Sequence, residues 1–161
     1  EVTAPIGPTL VRVESTEDMS KAVRSAAATA DVLVMAAAPA DFRAVEMASA
    51  KIKKGSAAPT IELAPTPDIL RESAPLMRAG AVRVGFALET NDGVANAWQK
   101  LESKSLDFIV LNDALEADAG VGVETNLVTI ISLSGTTEDV PLMLKREIAD
   151  IILDRVAARL R

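Results

Sequence analysis

Strand-like and helix-like patterns alternate along most of the 161-residue chain, and this alternation limits the fold more than any other feature. Residues 32–36 form a continuous apolar run, as expected of a parallel strand buried on both faces. Strands are predicted at residues 10–13, 31–36, 60–63, 82–88, 107–111 and 127–133, and helices at residues 15–30, from 66, at 93–104 and from 141. This order predicts a three-layer α/β/α, Rossmann-like fold with a mostly parallel sheet.

The chain is predicted to be a single domain, because its length suits one sizeable core. Hydrophobic residues make up 49% and charged residues 25%, a balance typical of globular proteins. The longest apolar run, residues 32–40, is too short to cross a bilayer, and the first residues lack the basic segment of a signal peptide. A net charge of −6 argues against nucleic acid as the main partner. We therefore expect a cytoplasmic protein with neither a membrane nor a nucleic-acid partner.

The chain contains neither histidine nor cysteine. Disulfides, thiol chemistry and a His-Cys zinc site are therefore excluded, and the most common general base is missing. Lysine, arginine, carboxylate and hydroxyl groups remain. This set suits phosphate handling, where positioning and charge stabilisation do most of the catalysis.

Three segments in the first half of the chain are candidates for ligand binding. Residues 36–42 follow a predicted strand, and their small side chains would let a ligand approach the backbone while Asp41 accepts hydrogen bonds from a base or sugar or holds a metal. The alternative is a tight alanine-packed turn with a solvated Asp41. Lys51, Lys53 and Lys54 are either a solvated charge run or a mobile loop that closes on a polyphosphate. Residues 66–70 begin a helix whose free amides could bind phosphate, with Thr66 predicted as an ordinary N-cap and Pro67 at the first helical position.

Further polar groups follow later strands of the predicted sheet. Phe86 would pack either against a base or in the core, and Glu89 would bind a metal or substrate or lie at the surface. Lys100 and Lys104 lie one helical turn apart on one flank of the predicted helix, and the absence of a carboxylate between them on that flank suggests an anion site as readily as plain surface. Asn112 and Asp113 end the next strand. Because strand ends share one edge of a parallel sheet, these groups together predict a polyphosphate site.

The same motifs occur in the order and spacing of bacterial phosphopantothenoylcysteine synthetase, and the chain from residue 31 onward resembles that family. The resemblance rests on residues 36–42, Lys51-Ile52-Lys53-Lys54, residues 66–70, residues 85–90, Lys100 with Lys104, and Asn112-Asp113. It implies a homodimeric ligase that uses CTP and Mg²⁺ to activate 4′-phosphopantothenate as an acyl-cytidylate. Cysteine then forms the amide in coenzyme A biosynthesis.

The resemblance also implies roles for individual residues. Asp41 and Phe86 would contact the cytidine, Lys51 would stabilise the acyl-transfer transition state, and no metal ligands are implied. The CTP site would be lined by Lys51, Pro67, Asp68, Ile69, Leu70, Lys100 and Lys104. Ala37, Ala38 and Asn112 would lie beside the intermediate. Residues 44–64 would form a strand-containing arm that reaches the partner subunit.

The chain departs from the family pattern at its start. Family members begin this domain with a strand and a Gly-Gly-Thr-x-Glu loop, whereas this chain opens at Glu1-Val2-Thr3. We therefore expect impaired ligase activity for residues 1–161 alone, or a sequence record that omits residues. The family enzyme usually forms the C-terminal half of a bifunctional flavoprotein, so a fused FMN decarboxylase half is expected in the full-length protein and no FMN in this chain.

Two rival interpretations stay open on sequence alone. A Rossmann-like NAD(P) domain would carry a glycine-rich phosphate loop after its first strand, and no G-x-G-x-x-G is present. A non-catalytic nucleotide-binding or dimerisation module would explain the missing loop but not the lysines at the ligand edge. Relatives that use ATP exist, while bacterial-type lysine motifs favour CTP.

Overall fold

A computed structural model describes residues 6–46, 48, 50–54, 60–89, 92–113 and 122–160 of the chain. Twelve elements follow one another in these residues: α1 Thr16–Ala27, β1 Val32–Met35, β2 Phe42–Ala44, β3 Leu63–Pro65, α2 Ile69–Ser73, a 3₁₀ turn Ala74–Leu76, β4 Val82–Glu89, α3 Gly93–Ser103, β5 Phe108–Asp113, β6 Thr125–Ser132, β7 Thr137–Leu144 and α4 Lys145–Arg159. Among these helices, none is long and apolar enough to cross a membrane.

The central sheet has five strands in the order β1-β4-β5-β6-β7. β4 is parallel to both β1 and β5, whereas β6 is antiparallel to both of its neighbours. Four of the five strands therefore run in one direction, and only β6 runs against them. The predicted α/β class with a mostly parallel sheet is confirmed.

Two apolar clusters lie on opposite faces of this sheet. One cluster joins α1, α2 and α3 to the sheet through buried side chains such as Leu70, Leu101 and Ile109. The other joins α4 to the opposite face through Ile148, Ile152 and Val156. Helices thus cover both faces, which gives the predicted three layers.

The starts of α1 and α2 are set by local side-chain bonds. The sequence allows Ser15 or Thr16 as the cap of α1, and in the structure Ser15 caps it: its hydroxyl accepts the Asp18 amide at 3.1 Å, and the Asp18 carboxylate accepts the Ser15 amide at 3.2 Å. The prediction of Thr66 as the cap of α2 is wrong, because Asp68 caps that helix by accepting the Arg71 amide at 3.2 Å. Thr66 instead bonds to the turn after β1, which leaves Asp68 as the last extended residue.

Two further sequence predictions are wrong. Residues 10–13 do not form a strand: they pair with no other strand in the described part of the chain, and Leu10 and Val11 are 56% and 62% exposed. The helix expected from Pro141 begins only at Lys145, because Pro141 lies inside β7. β7 is the edge strand of the sheet, where the missing N–H of proline need not remove a ladder bond.

A separate two-stranded ribbon leaves the central sheet after β1. β2 and β3 pair antiparallel, with Phe42 opposite Pro65, so the strand expected at 60–63 in fact begins at Leu63. The predicted arm, residues 44–64, begins and ends within this ribbon. Apolar side chains of the ribbon and of the arm are largely exposed, among them Phe42 of the ribbon at 60% and Ile61 of the arm at 69%. The role of the arm in dimerisation stays a prediction.

Candidate functional site

A cleft of about 880 Å³ lies at the carboxyl ends of β1, β4 and β5. Such strand ends are the usual ligand edge of an open α/β sheet. Eleven of the twelve residues predicted for the site line this cleft: Ala37, Ala38, Asp41, Pro67, Asp68, Ile69, Leu70, Phe86, Lys100, Lys104 and Asn112. The structure therefore brings together groups that are up to 75 positions apart in sequence (37 to 112).

The turn after β1 forms one wall of the cleft. The Thr66 amide donates to the Asp41 carbonyl at 2.9 Å, and the Thr66 hydroxyl donates to the Ala40 carbonyl at 2.5 Å. These bonds hold the alanine-rich turn against the start of α2. The Asp41 carboxylate stays exposed and has no ion pair among the described residues.

The middle of the cleft is formed by the end of β4. Phe86 is half-buried and packs against the α4-side cluster, so part of its ring faces the cleft. The preceding Gly85 packs on the other face, where a Cβ atom would come within 2.6 Å of Leu106 Cδ1. An added Cβ would therefore require the Leu106 side chain to move, so glycine lets this strand pack closely on the α3-side core.

Lys100 is held by a carboxylate at the end of β4. Its Nζ atom lies 2.5 Å from Glu89 Oε1, and the Asn96 amide donates to Glu89 Oε2 at 3.2 Å. The bond from Lys100, with a smaller contribution from Asn96, keeps the pKa of the Glu89 carboxyl below its ordinary value despite partial burial. Glu89 is thus ionised and fixes the position of the lysine.

Replacing Lys100 is expected to raise the pKa of Glu89. In Lys100→Gln the largest stabilising bond to the ionised carboxylate is lost, so the pKa should return towards its ordinary value. Because the folded pKa is lowered, the Glu89 carboxylate stabilises the fold above its unfolded pKa, and this stabilisation is lost as the pH falls through the folded pKa. Carboxyl ¹³C NMR titration measures the shift. Lys104→Gln is the control, and an unchanged Glu89 pKa in Lys100→Gln would contradict the pairing.

Lys104 is also paired with a carboxylate. Its Nζ atom lies 3.1 Å and 3.3 Å from the two oxygens of Asp68, the residue that caps α2. The prediction of two lysines with no carboxylate between them did not include these partners, because Glu89 and Asp68 come from β4 and the start of α2. A lysine has three N–H donors, so each ammonium keeps a donor for an incoming phosphate.

Lys51 lies outside this arrangement. It is exposed, as are Lys53 and Lys54, and it does not line the cleft of its own chain. It forms no ion pair within the described residues. A role for Lys51 in the cleft therefore requires the arm to move or a second subunit to supply it.

Sequence reasoning missed two polar residues of the cleft, Asn126 and Lys145. Asn126 is buried on β6, and its amide nitrogen donates to Asn112 Oδ1 at 3.0 Å. Lys145 is the first residue of α4. A polar amide directly before the apolar pair Leu127-Val128 was the available signal for Asn126. Lys145 was hidden because the helix was expected to begin four residues earlier.

Comparison with known families gives a match over nearly the whole chain. Residues 1–160 match the family described as DNA/pantothenate metabolism flavoprotein C-terminal domain. A crystal structure of the C-terminal domain of the coenzyme A biosynthesis bifunctional protein CoaBC superposes with a TM-score of 0.80 at 31% identity, covering 99% of this chain and 69% of that one.

Curated relatives are similar over much of this chain but are themselves longer. The bifunctional protein CoaBC of Bacillus subtilis is 38% identical over 92% of this chain and 36% of its own length. A protein named cysteine/cysteine sulfinic acid decarboxylase, from an unknown prokaryotic organism, is 39% identical over 97% of this chain and 46% of its own length. The chain therefore spans less than half the length of these two relatives.

Proposed function

Because the chain belongs to the DNA/pantothenate metabolism flavoprotein C-terminal domain family, we propose that it is the domain that joins 4′-phosphopantothenate to cysteine with CTP. The observation that carries this proposal is the cleft, which gathers eleven predicted ligand residues at one sheet edge. It combines small residues near the backbone, an aromatic ring and two lysines. These are the groups that a nucleotide and an activated acid require.

In the proposed reaction, a carboxylate oxygen of phosphopantothenate attacks the α-phosphorus of CTP. The bond to the β-phosphate breaks and pyrophosphate leaves. The cysteine nitrogen then attacks the acyl carbon of the acyl-cytidylate, the bond between that carbon and the phosphate oxygen breaks, CMP leaves, and the nitrogen loses a proton to solvent. Neither step needs a protein nucleophile, which agrees with the absence of histidine and cysteine.

The cleft residues serve this reaction by position and charge. Lys100 and Lys104 would bind phosphate oxygens, with Glu89 and Asp68 holding the ammonium groups in place. Asp41 and Phe86 would contact the cytidine, and Ala37 and Ala38 would let the intermediate lie close to the backbone. Positioned cations of this kind stabilise charge that develops during transfer.

Mg²⁺ would neutralise phosphate charge in the first step. In nucleotide sites this ion is held mainly by phosphate oxygens and by only one or two carboxylates. No cluster of three or more acidic side chains occurs within the described ranges. Asp41 is assigned to the cytidine and both Asp68 oxygens contact the Lys104 ammonium, so phosphate oxygens would hold the ion and no protein ligand is assigned to it. No FMN site is proposed for this chain.

We further propose that the chain acts as a homodimer through the arm of residues 44–64. The ribbon at its base exposes Phe42 and Leu63, and the arm exposes Ile52 and Ile61, which is apolar surface that a partner would cover. Lys51 lies in this arm and outside the cleft of its own chain. A partner subunit would thus bring Lys51 to the cleft.

The proposal is tested by following products. Phosphopantothenate, cysteine, CTP and Mg²⁺ are incubated with the chain, and separately with the chain preceded by a relative's Gly-Gly-Thr-x-Glu segment. We expect phosphopantothenoylcysteine, CMP and pyrophosphate in equal amounts. Hydrolysis of CTP to CDP and phosphate, or no amide in either form, would contradict the proposed ligase.

A further inference from the structure

The cleft has two sides that differ in charge pairing. On the α3 side, both Lys100 and Lys104 are paired with carboxylates. On the α4 side, Lys145 lines the cleft but has no ion pair among the residues that the structure describes. Glu147, the nearest acid in sequence, accepts the Leu144 amide instead, and Glu124, whose carbonyl accepts the Lys145 amide, forms no ion pair with it. Lys145 is therefore the cleft ammonium most available to an anionic ligand.

The position of Lys145 adds to this availability. It is the first residue of α4, a 15-residue helix whose positive end already favours an anion. Its amide donates to the Glu124 carbonyl at 2.9 Å, which ties the helix start to β6. A cation at a helix N-terminus is unfavourable on its own, and a bound anion relieves both charges.

A pair of amides lies next to Lys145. Asn126 is opposite Met143 in the β6–β7 ladder, two residues before Lys145. The buried Asn126 amide donates to Asn112 Oδ1 at 3.0 Å, and its own oxygen accepts the Leu127 amide at 3.0 Å. Because the Asn112 oxygen is occupied, its amide nitrogen is the group left to donate, and it has no partner within the described ranges. Asn126 thus orients Asn112 as a donor in the cleft.

Apolar side chains complete this side of the cleft. Phe86 and Ile148 line it together with Ile152. An apolar wall with one amide donor and one free ammonium fits an elongated ligand that has an apolar middle and an anionic end. Lys100 and Lys104 belong to α3, on the opposite face of the sheet from α4 and Lys145. The cleft therefore has two separate groups of cations, which suit two different phosphate groups.

We propose that Lys145, assisted by the Asn112 amide, binds the phosphate monoester of the acid substrate, while Lys100 and Lys104 serve the nucleotide. This inference rests on the proposed ligase function, because that function supplies an acid with a terminal phosphate. Lys145 is thereby a specificity residue that distinguishes phosphopantothenate from unphosphorylated pantothenate. Asn126 is a positioning residue that acts through Asn112.

Calorimetric titration of the whole chain tests the inference, with phosphopantothenate, pantothenate and CTP as ligands. We expect the unsubstituted chain to prefer phosphopantothenate over pantothenate, and Lys145→Gln to weaken phosphopantothenate binding about tenfold, the loss typical of one charged hydrogen bond. Pantothenate and CTP binding should barely change. Lys145→Arg should keep most of the preference, because it keeps the charge.

Arg146→Gln is the matched control. It also removes one positive charge, at the next position along the chain, and Arg146 does not line the cleft. Equal phosphopantothenate binding by Lys145→Gln, or a loss confined to CTP, would overturn the inference while leaving the ligase proposal intact. Absence of a preference for the phosphorylated acid in the unsubstituted chain would overturn it as well. Failure of that chain to bind both phosphopantothenate and CTP would contradict the ligase proposal itself.

Discussion

Lys51→Gln is expected to reduce amide formation about 10²–10³-fold, the loss typical of removing one group that stabilises transition-state charge. The side chain is exposed and remote from the cleft of its own chain, so the substitution should leave the fold unchanged. The rate is measured by product formation with the Gly-Gly-Thr-x-Glu segment supplied. Lys21→Gln, an exposed lysine of α1 outside the cleft, is the control and should retain full activity.

Mixed dimers show which subunit supplies Lys51. Lys51→Gln and Lys104→Gln chains are each expected to be poorly active alone. If Lys51 acts on the partner's cleft, an equal mixture should recover about one quarter of full activity, because half of the dimers are mixed and each of these has one intact site. Activity that is recovered after the two kinds of subunit have exchanged would show that Lys51 acts on the partner's cleft. No recovery after exchange would show that Lys51 acts within its own chain. Equal activity of Lys51→Gln and the unsubstituted chain would remove Lys51 from the mechanism.

Lys104→Gln is expected to weaken CTP binding about 10- to 100-fold, the range for a hydrogen bond from a charged group. Asp68 keeps its bond to the Arg71 amide at 3.2 Å, so the cap of α2 should survive. Circular dichroism checks that the helices are retained. Arg71→Gln removes the same charge from a residue that does not line the cleft and should leave CTP binding unchanged. Unaltered binding by Lys104→Gln would exclude this lysine from the nucleotide site.

Much of the fold could be predicted from local patterns, because buried parallel strands and helix caps depend on residues close in sequence. The run at residues 32–35 and the Ser15 cap are examples. β7 could not be predicted in the same way. Thr137, Glu138 and Asp139 carry little apolar signal, and Pro141 is tolerated only because β7 lies at the edge of the sheet.

Sequence reasoning placed eleven residues in the candidate cleft, but it missed Asn126 and Lys145 and did not reveal the ion pairs. Strand ends converge on one edge, so residues as distant as Asp41 and Asn112 could be placed together from topology alone. The partners of Lys100 and Lys104 come from other elements, Glu89 of β4 and Asp68 at the start of α2. Such pairs depend on how helices pack against the sheet, which the spacing of lysines along one helix does not reveal.

The central claim is that the cleft binds CTP, and calorimetric titration of the chain with CTP and with ATP, each with Mg²⁺, tests it most directly. We predict saturable binding that prefers CTP and weakens in Lys104→Gln but not in Arg71→Gln. A folded chain that binds neither nucleotide, with or without the Gly-Gly-Thr-x-Glu segment, would contradict the claim. A preference for ATP would contradict the assignment of CTP.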